Sequence, residues 1–227
     1  MHLVCTMELE QIKSKIPEKL YAVLEHEIKD LRPAQVKAIT AGLLDGKSLL
    51  VCTPTSSGKT LIAELAAVSC ILNGKGKAVY IVPLKALAQE KYNDFQRKYG
   101  GLLRIALSMG DLDSSDPFLS DYDLIITVSE KLDSLIRHHA PWISSVRVLV
   151  IDEIHLLNDP GRGPTLEILI TVIRKLLKNI QLVALSATIG NPDELALWLD
   201  ATIVVDDWRP VMLRKGIYSS GEIEFYD

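Results

Sequence analysis

Seven short aliphatic runs punctuate this chain, and between them the apolar positions fall into helical spacing. The runs are Ser48–Val51, Ala78–Val82, Leu103–Leu107, Asp123–Thr127, Arg147–Ile151, Gln181–Leu185 and Thr202–Val205. Their length and branching predict buried strands. Helices are predicted from Lys59 to Leu72, from Pro83 to Tyr99, from an N-cap at Ser129 to His139, from Thr165 to Asn179 and from Pro192 to Leu199. Gly110 to Asp121 is polar and turn-rich and reads as a loop, and Pro160 to Pro164 reads as a turn. Ahead of the first strand, Leu20, Val23, Leu24 and Ile28 predict helices across residues 8–29, with Pro17 in a first turn. Another helix is expected from Leu31, with Pro33 in its first turn, Ile39 and Leu43-Leu44 on its apolar face and Asp45-Gly46 at its end. Strands alternating with helices mean βαβ units, so the fold class is α/β: a mostly parallel sheet with helices on both faces. In such a sheet, sites gather beyond the carboxyl ends of the strands.

Composition narrows the classes. The 227 residues are 48% hydrophobic, enough for a well-filled core. No apolar run approaches the roughly 20 residues that span a membrane, and the opening residues lack the basic flank of a signal peptide. Met7 offers an alternative start, and the chain reads as cytoplasmic. Cys5, Cys52 and Cys70 are odd in number and have no metal-ligand spacing, so Cys52 and Cys70 are expected to be small buried hydrophobes. A net charge of −4 argues against nucleic acid covering the whole surface. It leaves room for a local groove, because helix starts and backbone amides also hold phosphates.

The chemistry lies at three strand ends. Cys52-Thr53-Pro54-Thr55-Ser56-Ser57-Gly58-Lys59-Thr60 follows the first strand and opens a helix, the context of a phosphate-binding loop. Free amides and the helix dipole favour an anion there. Gly58 lets the main chain approach phosphate, Lys59 supplies charge for the terminal phosphates, and the Thr60 hydroxyl is suited to Mg²⁺. Thr53 stands where the full motif has glycine, and a β-branched residue cannot cheaply adopt a glycine-only conformation. The competing reading is a Ser/Thr-rich helix start with a solvated Lys59. Asp152-Glu153 ends the fifth strand; Asp152 can hold Mg²⁺ through water while Glu153 orients and deprotonates an attacking water. Alone, such a pair is often a solvated turn. Ser186-Ala187-Thr188 ends the sixth strand. Gln35 can pair with adenine N6 and N7, and Arg32 can stack on a base, although polar residues in a first turn are usually just exposed. His155 is placed to bridge to a neighbouring element, whereas His138-His139 reads as an exposed helix end.

Taken together these residues resemble the superfamily 2 helicases. Arg32-Pro33-Ala34-Gln35 looks like their adenine-reading Q motif, and Thr53 to Thr60 looks like motif I, which accepts a small residue at the first glycine. Pro83 to Leu87 resembles motif Ia, Thr127 to Lys131 motif Ib, Asp152-Glu153-Ile154-His155 the DExH motif II, and Ser186-Ala187-Thr188 motif III. Asp159 to Glu167 and Ser186 to Asn191 are similar to the superkiller-type branch. Ile81 to Ala88 and Trp208-Arg209-Pro210-Val211 are most similar to its archaeal DNA repair helicases that act at stalled forks. Arg32 departs from the aromatic often found at its position.

The resemblance implies a RecA-like domain of P-loop NTPase architecture that binds ATP and Mg²⁺. It implies catalytic roles for Lys59, Asp152 and Glu153, nucleotide contacts from Arg32, Gln35 and the loop Thr53 to Thr60, and coupling through His155, Ser186 and Thr188. Lys85, Thr127 and Ser129 are expected to hold strand phosphates. The expected organisation is an N-terminal helical extension (1–30), a first RecA-like domain (31–206) and, from 207 to 227, the entrance to a second RecA-like domain that supplies arginines. The implied activity is ATP-dependent helicase action on single-stranded or branched DNA. An RNA track and a non-catalytic nucleotide-binding scaffold are the alternatives.

Overall fold

Every one of the seven aliphatic runs forms a strand in the computed structural model, which describes residues 6–110, 116–211, 214–219 and 221–226. Cys5, residues 111–115 of the expected loop, and residues 212, 213, 220 and 227 of the expected entrance to a second domain lie outside the described residues. The first third of the chain forms β1 (Met7–Glu8), α1 (Glu18–Leu24), β2 (Asp30–Leu31), α2 (Pro33–Thr40), β3 (Leu49–Cys52) and α3 (Lys59–Leu72). Then come β4 (Lys77–Val82), α4 (Lys85–Tyr99), β5 (Ile105–Ser108), β6 (Leu124–Val128), α5 (Ser129–Arg137) and β7 (Val146–Ile151). The remainder is α6 (Gly163–Leu176), β8 (Gln181–Ser186), α7 (Pro192–Leu199), β9 (Thr202–Val205) and an antiparallel hairpin, β10 (Lys215–Ser219) with β11 (Glu222–Tyr226).

The central sheet has the order β5-β6-β4-β7-β8-β3-β9, and its pairings are parallel. Successive side chains of a strand face opposite sides. Ala78, Tyr80 and Val82 of β4 therefore join one apolar cluster with residues of α1 to α4, whereas Val79 and Ile81 join a second with α5, α6 and α7. Because both faces are covered, the strands read as continuous aliphatic runs rather than alternating ones. Pairing of Cys52 with Ser186, and of Tyr80 with Val150, aligns the carboxyl ends of β3, β8, β4 and β7 on one edge.

The N-terminal segment departs from the helices expected there. Leu9–Lys15 is a 3-10 run, α1 spans a single short stretch, and β1 pairs with β2. Pro17 is the physical break: it lacks a donor and holds Ile16 extended at φ −121°, ψ 154°. Leu9, Ile12, Ile16, Leu20 and Leu24 are buried in the same cluster as α3, so this segment is part of the domain's core. Helix α2 stops at Thr40, and Gly42 at φ 101° turns the chain into a separate 3-10 turn holding Leu43 and Leu44. Val128, not Ser129, is the N-cap of α5; Ser129 lies inside the helix, its hydroxyl 3.2 Å from Glu130 Oε2. That helix ends at Arg137, and α6 starts at Gly163 and stops at Leu176.

Candidate active site

The loop after β3 curls through left-handed backbone at Ser56 (φ 64°) and Gly58 (φ 94°). Thr53 is absent from that set and continues the strand instead, its amide donating to the Ser186 carbonyl at 3.2 Å. The glycine-only geometry has shifted along the loop, and a β-branched residue at 53 carries no strain. Thr53 is fully buried, and its hydroxyl is 2.7 Å from that of Ser57. Gly58 is required by its φ, and a Cβ there would also push aside the Gln35 amide that donates to the Gly58 carbonyl.

Gln35 is buried, which overturns the exposed first-turn reading. Its Oε1 accepts from Arg32 N–H at 2.8 Å and its Nε2 donates to the Gly58 carbonyl at 3.0 Å. The amide thus braces the start of α2 against the loop that follows β3. Arg32 donates from Nη1 to the Ser56 carbonyl at 2.6 Å, and its guanidinium carbon sits 5.7 Å from the ring centre of Trp208. Its aromatic neighbour is therefore supplied by this chain.

Lys59 is buried, and its ammonium donates to the carbonyls of Thr53 (3.2 Å) and Ser186 (3.1 Å), so the solvated alternative fails. A cleft of about 420 Å³ brings Lys59, Thr60, Asp152 and Glu153 together with Lys91 and Pro210. Asp152 Oδ2 accepts from the Tyr80 hydroxyl at 3.0 Å and lies 3.9 Å from the Lys91 ammonium. Burial, then the nearby Asp152 carboxylate, pushes the Tyr80 hydroxyl well above its ordinary pKa, so it stays a donor. Lys91 also donates to Thr60 Oγ1 at 2.9 Å. Among the described residues no group of three or more His, Cys, Asp or Glu is arranged to hold a metal ion. The donor set here is one hydroxyl and one carboxylate already converging on a cation. That sparse set suits Mg²⁺, which keeps water and phosphate oxygens as its other ligands.

Glu153 adopts left-handed backbone (φ 54°), a conformation that costs a non-glycine residue energy and clusters at functional sites. Its Oε2 lies 3.3 Å from His155 Nδ1, which is also 3.5 Å from the Ala187 amide. One tautomer of His155 donates to Glu153; the other accepts from Ala187. Ser186 contributes its backbone carbonyl to Lys59, while its buried hydroxyl has no partner among the described residues. Thr188 is exposed.

Thr127 is fully buried, and its hydroxyl donates to the Ser108 carbonyl at 2.7 Å. Ser129 is buried as well. Of the two side chains expected to meet strand phosphates, the Thr127 hydroxyl is engaged with the Ser108 carbonyl and the Ser129 hydroxyl faces Glu130. Lys85 is exposed at the first position of α4. Lys91 and Tyr80 were not legible in the sequence. Lys91 is one of several charges along α4, and only the packing of α4 beside β4 aims it into the cleft.

Residues 32–195 match the family model described as DEAD/DEAH box helicase. The chain belongs to this family. Within it, the domain is 55% identical over 216 residues to the ATP-dependent DNA helicase Hel308 of Methanocaldococcus jannaschii, covering 92% of this chain and 18% of that protein. It is 51% identical over 213 residues to Hel308 of Pyrococcus abyssi, covering 93% and 29%. Among solved structures, the DUF1998 helicase MrfA bound to DNA and AMPPNP matches with a TM-score of 0.74 at 26% identity, covering 90% of this chain and 30% of that one. This DEAD/DEAH box helicase domain thus has the RecA-like α/β fold and spans less than a third of these relatives. No helix among its described residues is long and apolar enough to cross a membrane.

Proposed function

We propose that the chain is the ATP-binding motor domain of a longer ATP-dependent DNA helicase that acts on branched or fork DNA in repair. The observation that carries this reading is the convergence of Lys59, Thr60, Asp152 and Glu153 on one cleft at the carboxyl edge of the sheet. Support for DNA as the track comes from the curated relatives, which are DNA helicases.

The residues divide the work along the cleft. Arg32 lines the cleft and also an adjoining pocket lined by Gln35, and together they would take the base; Gln35 retains one lone pair and one N–H beyond its two backbone bonds, enough to address adenine. The loop Thr53 to Thr60 wraps the phosphates with the amides that follow Pro54, Thr53 anchoring it through its bond to Ser186, and Lys59 exchanges its carbonyl partners for phosphate oxygens. Thr60 and, through water, Asp152 would hold Mg²⁺. The metal, when bound, neutralises charge on the phosphate oxygens. Glu153 orients and deprotonates the attacking water. His155 Nδ1 faces both that carboxylate and the Ala187 amide and serves one at a time, so its exchange between them lets Ser186-Ala187-Thr188 sense the carboxylate's state. Lys85 contributes to a sequence-independent grip on strand phosphates.

Arginines from a second RecA-like domain would complete the site, and such a finger is worth roughly 10³ to 10⁵ in rate. This chain alone should therefore bind Mg–ATP, hydrolyse it very slowly and unwind nothing. Equilibrium binding of a fluorescent ATP analogue, with single-turnover hydrolysis, tests this. Absence of binding would refute the reading, and so would nucleic-acid-stimulated turnover at ordinary ATPase rates. Anisotropy with labelled single strands should show salt-sensitive binding weakened by Lys85→Ala; equal or better binding of RNA would move the track assignment.

A further inference from the structure

Lys91 projects from α4 into the cleft, and its ammonium lies 2.9 Å from Thr60 Oγ1 and 3.9 Å from Asp152 Oδ2. Thr60 is the residue assigned above to the metal directly, and Asp152 the one assigned to it through water. The side chain is only 20% exposed, that of Asp152 is 14% exposed, and the Tyr80 ring centre stands 5.8 Å from the same ammonium. A lysine held this closely is unlike the solvated lysines of a helix surface. It is a resident cation on a hydroxyl and a carboxylate whose other donors among the described residues are the Tyr80 hydroxyl and the Glu153 amide, both to Asp152.

Two cations cannot comfortably share these oxygens. Mg²⁺ sits about 2.1 Å from its oxygen ligands. An ammonium 2.9 Å from the same Thr60 oxygen would face it across a few ångströms, and like charges repel steeply at that range in a half-buried cleft. The lysine stem is flexible, and its charge is compact and strongly hydrated, so it can move to a new anion. Glu90 and Glu153 line the same cleft, but the anion that arrives with the metal is the nucleotide's terminal phosphate.

We propose that Lys91 is a positioning residue that competes with Mg²⁺ for Thr60 and Asp152, and that it yields them and passes its charge to phosphate when the metal–nucleotide complex binds. The inference rests on the nucleotide-binding reading above and adds a residue to it. Its consequence is an opposed pair of effects. Without Lys91, nucleotide alone loses a counter-charge, while the metal gains uncontested ligands.

The experiment measures dissociation constants of a fluorescent ATP analogue on the 227-residue chain in EDTA and in saturating Mg²⁺. The variants are wild type, Lys91→Met, Lys91→Arg and Arg97→Met, the last removing one positive charge from the exposed side of α4. In Lys91→Met the ratio of the EDTA constant to the Mg²⁺ constant should rise about 3- to 10-fold, the range expected for losing one half-buried charge contact. Lys91→Arg and Arg97→Met should leave that ratio within about 2-fold of wild type. A purely structural Lys91 would raise both constants in parallel, and an unchanged ratio overturns the proposal even if affinity falls. A rise of the same size in Arg97→Met overturns it too, by showing a through-space charge effect. Wild type that binds no nucleotide in either buffer overturns the nucleotide reading itself, and the proposal with it.

Discussion

The brace made by Gln35 gives the most direct test of how this site is held together. Replacing Gln35 by Ala removes the acceptor for Arg32 N–H and the donor to the Gly58 carbonyl, bonds of 2.8 and 3.0 Å. Each such bond contributes about 1–1.5 kcal/mol net, so the loss should be about 2–3 kcal/mol. A chain of this size loses about 2–4 °C of Tm per kcal/mol, which predicts a fall of about 4–12 °C. Gln35→Glu sharpens the reasoning, because one carboxylate oxygen can keep the Arg32 bond while the other must face the Gly58 carbonyl with no proton between them. Its stability should fall at least as far. The assay is thermal or urea denaturation of the unliganded chain, followed by a comparison of ATP and GTP affinity. A residue that only reads the base would lose discrimination between the two while Tm stayed put. A Tm within about 2 °C of wild type for Gln35→Ala would refute the brace.

Three further outcomes follow from the same geometry. Gly163→Ala would drive a Cβ into the backbone carbonyl of Leu157, so it should cost about 1–3 kcal/mol in urea unfolding. Thr127→Val removes the bond to the Ser108 carbonyl and should cost about 1 kcal/mol, yet leave the salt dependence of single-strand binding unchanged, unlike Lys85→Ala. Burial, opposed by Lys59, pushes the Cys52 thiol up to about 11, so at pH 8 only about one molecule in a thousand carries the thiolate. In a Cys5→Ser background the folded chain should therefore react very slowly with a thiol reagent and release both remaining thiols on unfolding.

How much of this was legible beforehand depended on which physical rule governed each stretch. Buried parallel strands need uninterrupted aliphatic runs, so β3 to β9 stood out, with boundaries good to a residue or two. The N-terminal segment misled because its apolar residues are spaced for a helix while Pro17 breaks one. The same limit applied to Thr127, whose hydroxyl looks alike on paper whether it meets solvent or the Ser108 carbonyl.

Sequence alone determined the alternation of strand and helix and the strand-end positions of the loop Thr53 to Thr60 and of the acidic pair, since each is set by local chain chemistry. Tertiary structure alone decided that Gln35 braces the loop, that Lys91 reaches Thr60 and Asp152, and that Thr127 turns inward. Those contacts join residues from about 20 to more than 60 positions apart, and only the parallel order of the strands, with α4 packed beside them, brings them within hydrogen-bonding reach.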